Sequence, residues 1–382
     1  FGQANISGST LLAGGIRVTG SLPAALAGGP VTISGSAVTV TRDISVKGKE
    51  ADFVIDNSSV NARNISLTGT ESAAFRPPAS PTGPGSLSLS GSLTVTAPEA
   101  TFRFIDGSAV ISGNLKVTGT RETTFDIPVG TGPQVSVTGA LTVQGGSGVL
   151  GLVVGGGSLT VGTDLTAKGR APEDVELTPG LTSKIGRNLS LTLGPTDERV
   201  GINSNVQVAG NLTVNAGAGN NVVVLGAPGG PAGPTVGKNL SVTTQGGSDL
   251  VTLNQVAVTG TTTIKTGAGS DLLAILGPST FTGVTTIDLG AGDDELAVAN
   301  DPATTSGPVT FTGTVNAQLG AGNDTLLVGL APASGGNANT AVIFSTSPAN
   351  KIDGGTGLNF FDDKAAQTTG TVAVLQFTDP TP

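Results

Sequence analysis

About every two dozen residues this chain repeats one phrase: a Gly, a small or polar residue, then Leu-x-Val with Thr or Ser between. It reads Gly-Ala-Leu-Thr-Val at 139–143, Gly-Asn-Leu-Thr-Val at 210–214 and Gly-Lys-Asn-Leu-Ser-Val at 237–242. Variants stand at 15–18, 43–46, 64–67, 92–95, 114–117, 164–167 and 188–191. Such self-similarity outranks any local motif, because each repeat is one unit that buries its apolar face only against its neighbours. A period of roughly 21 to 30 residues, built of short strands and Gly turns, indicates a stacked β-solenoid.

The phrase places coils near 15, 43, 64, 92, 114, 140, 164, 188, 211, 239, 261, 284, 314 and 350. The expectation is a single right-handed parallel β-helix over 1–382, of about fourteen coils with three strands each. Residues 255–276 show the full pattern: strand, Gly corner, anchor strand, Gly/Asp corner, strand. Alternation of apolar with Thr or Ser sends one set inward and the other to water. At about 4.8 Å per coil the stack spans roughly 65 Å. Phe75, Phe102 and Phe125 follow the anchor by similar intervals, which points to an internal Phe stack. Coils with Phe-bearing corners are expected over 1–200 and coils with Gly-Ala-Gly-x-Asp corners over 201–382. Three Pro-rich stretches, Arg76–Gly85, Ala227–Pro234 and Asn300–Pro308, read as loops leaving a corner, since Pro cannot donate to a ladder.

Composition narrows the function. Gly supplies 60 of 382 residues, and Cys, His, Met, Trp and Tyr are absent. Disulfides, thiolate–imidazole zinc sites and His-dependent nucleophilic catalysis are therefore excluded. The net charge of −9, with 18 scattered Lys and Arg, disfavours nucleic acid and anionic membranes. No run approaches the 18 or so apolar residues of a membrane span. Without Met, Phe1 is not a translation start, so the expectation is a processed or partial chain, exported to the cell surface or medium after loss of a signal segment, with a cytosolic fragment as the alternative that the Thr/Ser/Gly-rich, Lys-poor composition disfavours.

In the C-terminal half one corner specialises. Thr266-Gly-Ala-Gly-Ser-Asp271, Leu289-Gly-Ala-Gly-Asp-Asp294 and Leu319-Gly-Ala-Gly-Asn-Asp324 are nearly one sequence. Degenerate copies end at Asn221, Asp249 and Asn359. The pattern resembles the Gly-Gly-x-Gly-x-Asp nonapeptide of secreted calcium-binding (RTX, haemolysin-type) repeat proteins. The resemblance implies Ca²⁺ held by Gly carbonyls and Asp carboxylates at Gly267, Gly269, Asp271, Gly290, Gly292, Asp294, Gly320, Gly322 and Asp324. It departs from the family in having one copy per coil rather than tandem copies, and Thr266, Leu289 or Leu319 in place of the first Gly.

A physical argument adds Asp249 to the set. Stacked in register, Asp249, Asp271, Asp294 and Asp324 would lie one strand spacing apart. Like charges at that distance repel by about 3.5 kcal/mol at an effective dielectric of 20, so the column wants hard cations. The opposing reading is plain turn chemistry, with Gly for positive φ and Asp or Asn capping corner amides. Both stand. Asn-x-Ser/Thr triplets begin at Asn5, Asn57, Asn64, Asn188, Asn211, Asn239 and Asn323, and those in the anchor phrase read as an amide ladder or as glycosylation acceptors.

The leading functional expectation is an extracellular structural protein, a subunit that self-associates through its terminal coils into a fibre, sheath or surface layer. The alternative is an adhesin, like an autotransporter or haemagglutinin passenger, presenting the Pro-rich loops to a surface polysaccharide or host ligand. A polysaccharide lyase or hydrolase ranks below both, and the chain is read as no enzyme. Its carboxylate pairs (Glu173/Asp174, Asp197/Glu198, Asp362/Asp363) are sequence neighbours that point to opposite faces of a strand.

Overall fold

A computed structural model describes residues 4–8, 10–19, 31–77, 83–128, 132–170, 173–203, 205–226, 233–299, 307–329, 341–364 and 367–377. Half of the first Pro-rich stretch named above and most of the other two lie outside them. The described residues contain strands and turns and no helix. The chain forms two compact units, Phe1–Asn188 and Leu189–Pro382. Each is a parallel β-solenoid with three strands per coil.

All fourteen anchor segments are strands, seven in each unit. One coil of the first unit runs through Leu93–Thr96, Glu99–Arg103 and Gly107–Ile111. In the second unit the coil at 255–276 runs through Ala257–Val258, Thr262–Ala268 and Leu272–Leu276. Each strand pairs in parallel with its counterpart in the next coil, so identical positions stack. Ile44, Ile65, Leu93, Leu115, Leu141 and Leu165 form one column, and Val46, Leu67, Val95, Val117, Val143 and Ala167 the next. These residues are buried while the Ser, Thr and Lys between them face out. Each fully buried aliphatic side chain contributes about 1.5–3 kcal/mol of transfer free energy, which the repeat multiplies along the stack.

The Phe stack is longer than expected and lies inside the middle strands rather than at a corner. Phe53, Phe75, Phe102 and Phe125 are in register, with ring centroids 5.8, 5.3 and 5.1 Å apart. A second stack of Phe281, Phe311 and Phe344 occupies the second unit at 5.2 and 5.4 Å. Parallel offset stacking is the arrangement that register imposes when one aromatic sits on another.

Several corners that precede an anchor strand are held by side-chain oxygens. The Ser92 N–H donates to Asn64 Oδ1 (2.7 Å), the Asn114 N–H to Ser92 Oγ (3.0 Å) and the Ala140 N–H to Asn114 Oδ1 (2.8 Å). In the second unit the Asn239 and Thr261 N–H groups donate to Asn211 and Asn239. Three triplet asparagines of the anchor phrase, Asn64, Asn211 and Asn239, thus act as rungs of an amide ladder. Their oxygens satisfy corner N–H groups that the turn leaves without a strand partner.

One column of the second unit breaks its own rule. Leu189, Leu212 and Leu240 are followed by Thr262, Thr285 and Val315. The Thr262 and Thr285 hydroxyls are buried with no hydrogen-bond partner. Thr285→Val keeps the branched shape and removes that penalty. It is expected to raise stability by about 1–2 kcal/mol in urea denaturation.

Candidate cation column

In the second unit the anchor strand extends to the corner (Thr262–Ala268, Thr285–Ala291, Val315–Ala321) and the Gly-x-Asp that follows turns the chain into the middle strand. Gly269, Gly292 and Gly322 have φ of 129°, 136° and 148°. A Cβ on Gly292 would lie 1.9 Å from the Gly269 carbonyl oxygen, and one on Gly322 equally close to Gly292. Glycine is needed here twice over, for the left-handed backbone and for the coil packed beneath it. Register also places Gly267 on Gly290 and Gly290 on Gly320. All ten residues singled out for cation binding therefore meet along one corner.

The Asp side chains form a ladder that runs through seven coils. Each Oδ1 accepts the backbone N–H of the matching residue one coil earlier: Asp249 N–H to Asp271 (2.8 Å), Asp271 to Asp294 (2.9 Å) and Asp294 to Asp324 (3.0 Å). Amides close both ends. Glu198 N–H donates to Asn221 (3.1 Å), Asn221 N–H to Asp249 (2.7 Å) and Asp324 N–H to Asn359 (2.9 Å). Glu198 was not part of the expected set; Asn221 and Asn359 were, as degenerate copies.

The second carboxylate oxygen decides the chemistry. Asp249, Asp271, Asp294 and Asp324 are at most 3% exposed, and the Oδ2 of each is buried with no hydrogen-bond partner. The asparagines in the same column show what surrounds that position. Asn221 Nδ2 donates to the carbonyls of Gly219 (2.9 Å) and Gly217 (3.4 Å), and Asn359 Nδ2 to those of Gln376 (3.0 Å) and Gly355 (3.4 Å). At both asparagines the slot is lined by acceptors, and at Asp249 the Thr244 hydroxyl also approaches the carboxyl. An amide fits it unaided, whereas a carboxylate oxygen there faces other oxygens and needs a proton or a cation between them.

Burial accordingly raises the Asp294 pKa to about 7, and the neighbouring charges of Asp271, Asp324 and Asp293 add to the effect against the opposing Asp271 N–H. Burial likewise raises Asp249 and Asp324. No Lys or Arg is among the charged groups acting on these three carboxyls. The second unit holds 5 basic and 14 acidic residues, the first 13 of each, so the whole net charge of −9 lies in the unit that carries the column. This partition was available from the sequence as a signal.

Calcium suits oxygen-only sites of carboxylates and carbonyls, and the orphaned Oδ2 atoms beside Gly carbonyls are such a donor set. Among the described residues no three acidic side chains converge on one point, so backbone carbonyls would have to complete any coordination shell. The turn reading is satisfied at the same time, because every Oδ1 caps a corner amide. The residue before each Asp runs a second, exposed ladder in the opposite sense, with Asn323 N–H on Asp293 (2.8 Å) and Leu358 N–H on Asn323 (3.1 Å). The acid pairs weighed for glycoside chemistry diverge: Glu173 and Glu198 are buried while Asp174 and Asp197 are exposed. No known protein family, curated protein or solved structure matches the chain.

A carboxyl whose pKa is raised on folding contributes stability below its unfolded value near 4 and loses it as pH climbs through about 7. With a chelator present, the unfolding midpoint of the second unit is expected to fall from pH 4 to pH 8. Asp294→Asn places the amide of Asn221 and Asn359 in the slot. It should flatten that slope and add roughly 1–3 kcal/mol at pH 8, read by thermal and urea denaturation.

Proposed function

We propose that this chain is an extracellular structural protein, a β-solenoid scaffold whose acidic unit is braced by calcium. The observation that carries the reading is the row of four sealed carboxylates, each with one oxygen that has no partner. Calcium would be held by Asp249, Asp271, Asp294 and Asp324 together with glycine carbonyls at Gly267, Gly269, Gly290, Gly292, Gly320 and Gly322. When bound it supplies the positive charge that the column lacks. The chain's own part is to fix the oxygens at strand spacing, exclude water from them and keep their amides capped.

An extracellular location suits the calcium reading. Extracellular calcium modules bind at about 10⁻⁴–10⁻³ M, a concentration met outside cells. Cross-linking by disulfide or zinc is closed to a chain without Cys or His, which leaves ionic bracing as its available device. The resemblance to RTX repeats points the same way. The proposal extends to assembly into a fibre, sheath or surface layer. A fold that grows by parallel coil pairing can add further copies through the same backbone pairing.

Calcium titration of the chelated protein at pH 7.5 tests the reading. A ligand at 100 times its dissociation constant adds about 2.7 kcal/mol, so the second unit's thermal midpoint should rise by several degrees, with magnesium less effective. The double change Asp271→Asn, Asp294→Asn should remove most of the response. An unchanged midpoint in millimolar calcium would sink the calcium brace. Electron microscopy of the same samples tests assembly.

A further inference from the structure

A different corner, in the first unit, carries a vacancy that the repeat itself reveals. Arg63 reaches back one coil and clamps Asp43, Nε to Oδ1 at 3.0 Å and Nη2 to Oδ2 at 2.8 Å, while Asn64 Nδ2 donates to the same Oδ1 at 2.8 Å. The unit contains this device a second time: Arg187 clamps Asp164, and Asn188 donates to it at 2.9 Å. Register pairs Ile16 with Ile44 and Ile44 with Ile65. Arg42 is therefore the counterpart of Arg63 one coil earlier, and Gly15 stands where Asp43 stands. Among the described residues Arg42 has the fork and no acid to hold, and its guanidinium makes no ion pair or hydrogen bond.

The surface is hollow at this place. A trough of about 480 Å³ is lined by Gly15, Arg17, Arg42, Asp43, Ser45 and Ser66. Arg17, Ser45 and Ser66 lie in one row across three paired strands, and among the described residues Arg17 is also without an acidic partner. The Asp43 carboxylate stays ionised, and its charge is offset by the Arg63 guanidinium that engages both of its oxygens. The unit as a whole has no net charge.

We propose that this trough binds the carboxylate of an acidic saccharide, a uronic acid unit. Arg42 takes the carboxylate in the planar fork that Arg63 and Arg187 use on Asp, and Arg17 adds a second cation. Ser45 and Ser66, spaced about one strand apart on the floor, face the ring hydroxyls. A saccharide fits better than an added peptide strand, because the backbone groups between these three strands are consumed by parallel pairing. With no Trp or Tyr in the chain to stack on a sugar ring, charge has to carry the recognition.

Gly15→Asp tests the vacancy directly. An added Cβ there meets nothing nearer than the Asp43 carbonyl oxygen at 3.5 Å, so the new acid can fold into place and occupy Arg42 from within. Calorimetric titration of the full chain with oligogalacturonate should show binding that weakens as salt is added. The methyl-esterified oligomer should not bind. Gly15→Asp and Arg42→Ala should each lose about tenfold or more in affinity, with unchanged circular dichroism and thermal midpoint for Gly15→Asp. Absence of binding, equal binding of the esterified oligomer, or full affinity in both variants overturns the proposal. Tighter binding of a poly-aspartate peptide overturns the saccharide assignment.

Discussion

In-register parallel stacking is the constraint on which everything else in this protein rests. Each residue sits about one strand spacing above its counterpart, so any property at a position is repeated along the axis. Apolar positions become aliphatic columns and Phe53 becomes the first of four stacked rings. A corner N–H becomes a row of donors that needs a row of acceptors, which Asn, Ser and Asp side chains supply. Whatever suits stacking is reinforced, and whatever resists it has to be neutralised coil by coil.

The two units meet that electrostatic demand differently. In the first, acids and bases alternate between successive coils, as in Arg76–Asp52, Arg103–Asp126, Arg121–Glu99 and Lys49–Glu71. Such exposed pairs contribute little stability each, but each sets a charge against one of opposite sign in the adjacent coil. The trough at Arg42 is where this alternation lapses, because Gly15 supplies no acid. In the second unit the acids stand in line at Asp249, Asp271, Asp294 and Asp324 and are sealed from water. Burial and the charges of neighbouring carboxylates then raise the pKa of Asp249, Asp294 and Asp324, so the unit's electrostatic demand is concentrated in that corner.

Most of the architecture was legible from the repeat. The fourteen anchors, the three-strand coil at 255–276, the Phe75–Phe102–Phe125 stack and the amide ladder all follow from spacing, because alternation has a period of two and register carries it from coil to coil. The Asp column was legible as a set of residues that would align. Which oxygen of each carboxylate would be used was not, since that depends on the turn's exact path and on the direction in which Oδ1 reaches. Nor was the Phe stack's true position, because sequence spacing from an anchor does not say where the corner falls within the coil.

The sequence by itself determined a stacked all-β fold, excluded disulfides and His or Cys chemistry, and set glycine at the corner where positive φ was required. Only the tertiary structure decided that Asn221 and Asn359 share one slot with the four Asp residues and thereby expose what that slot lacks. It also decided that Arg42 faces Gly15 where its counterparts face an acid. Both depend on which residues lie one coil apart, 20 to 35 positions away in the chain, and register between coils is fixed by packing rather than by any local preference.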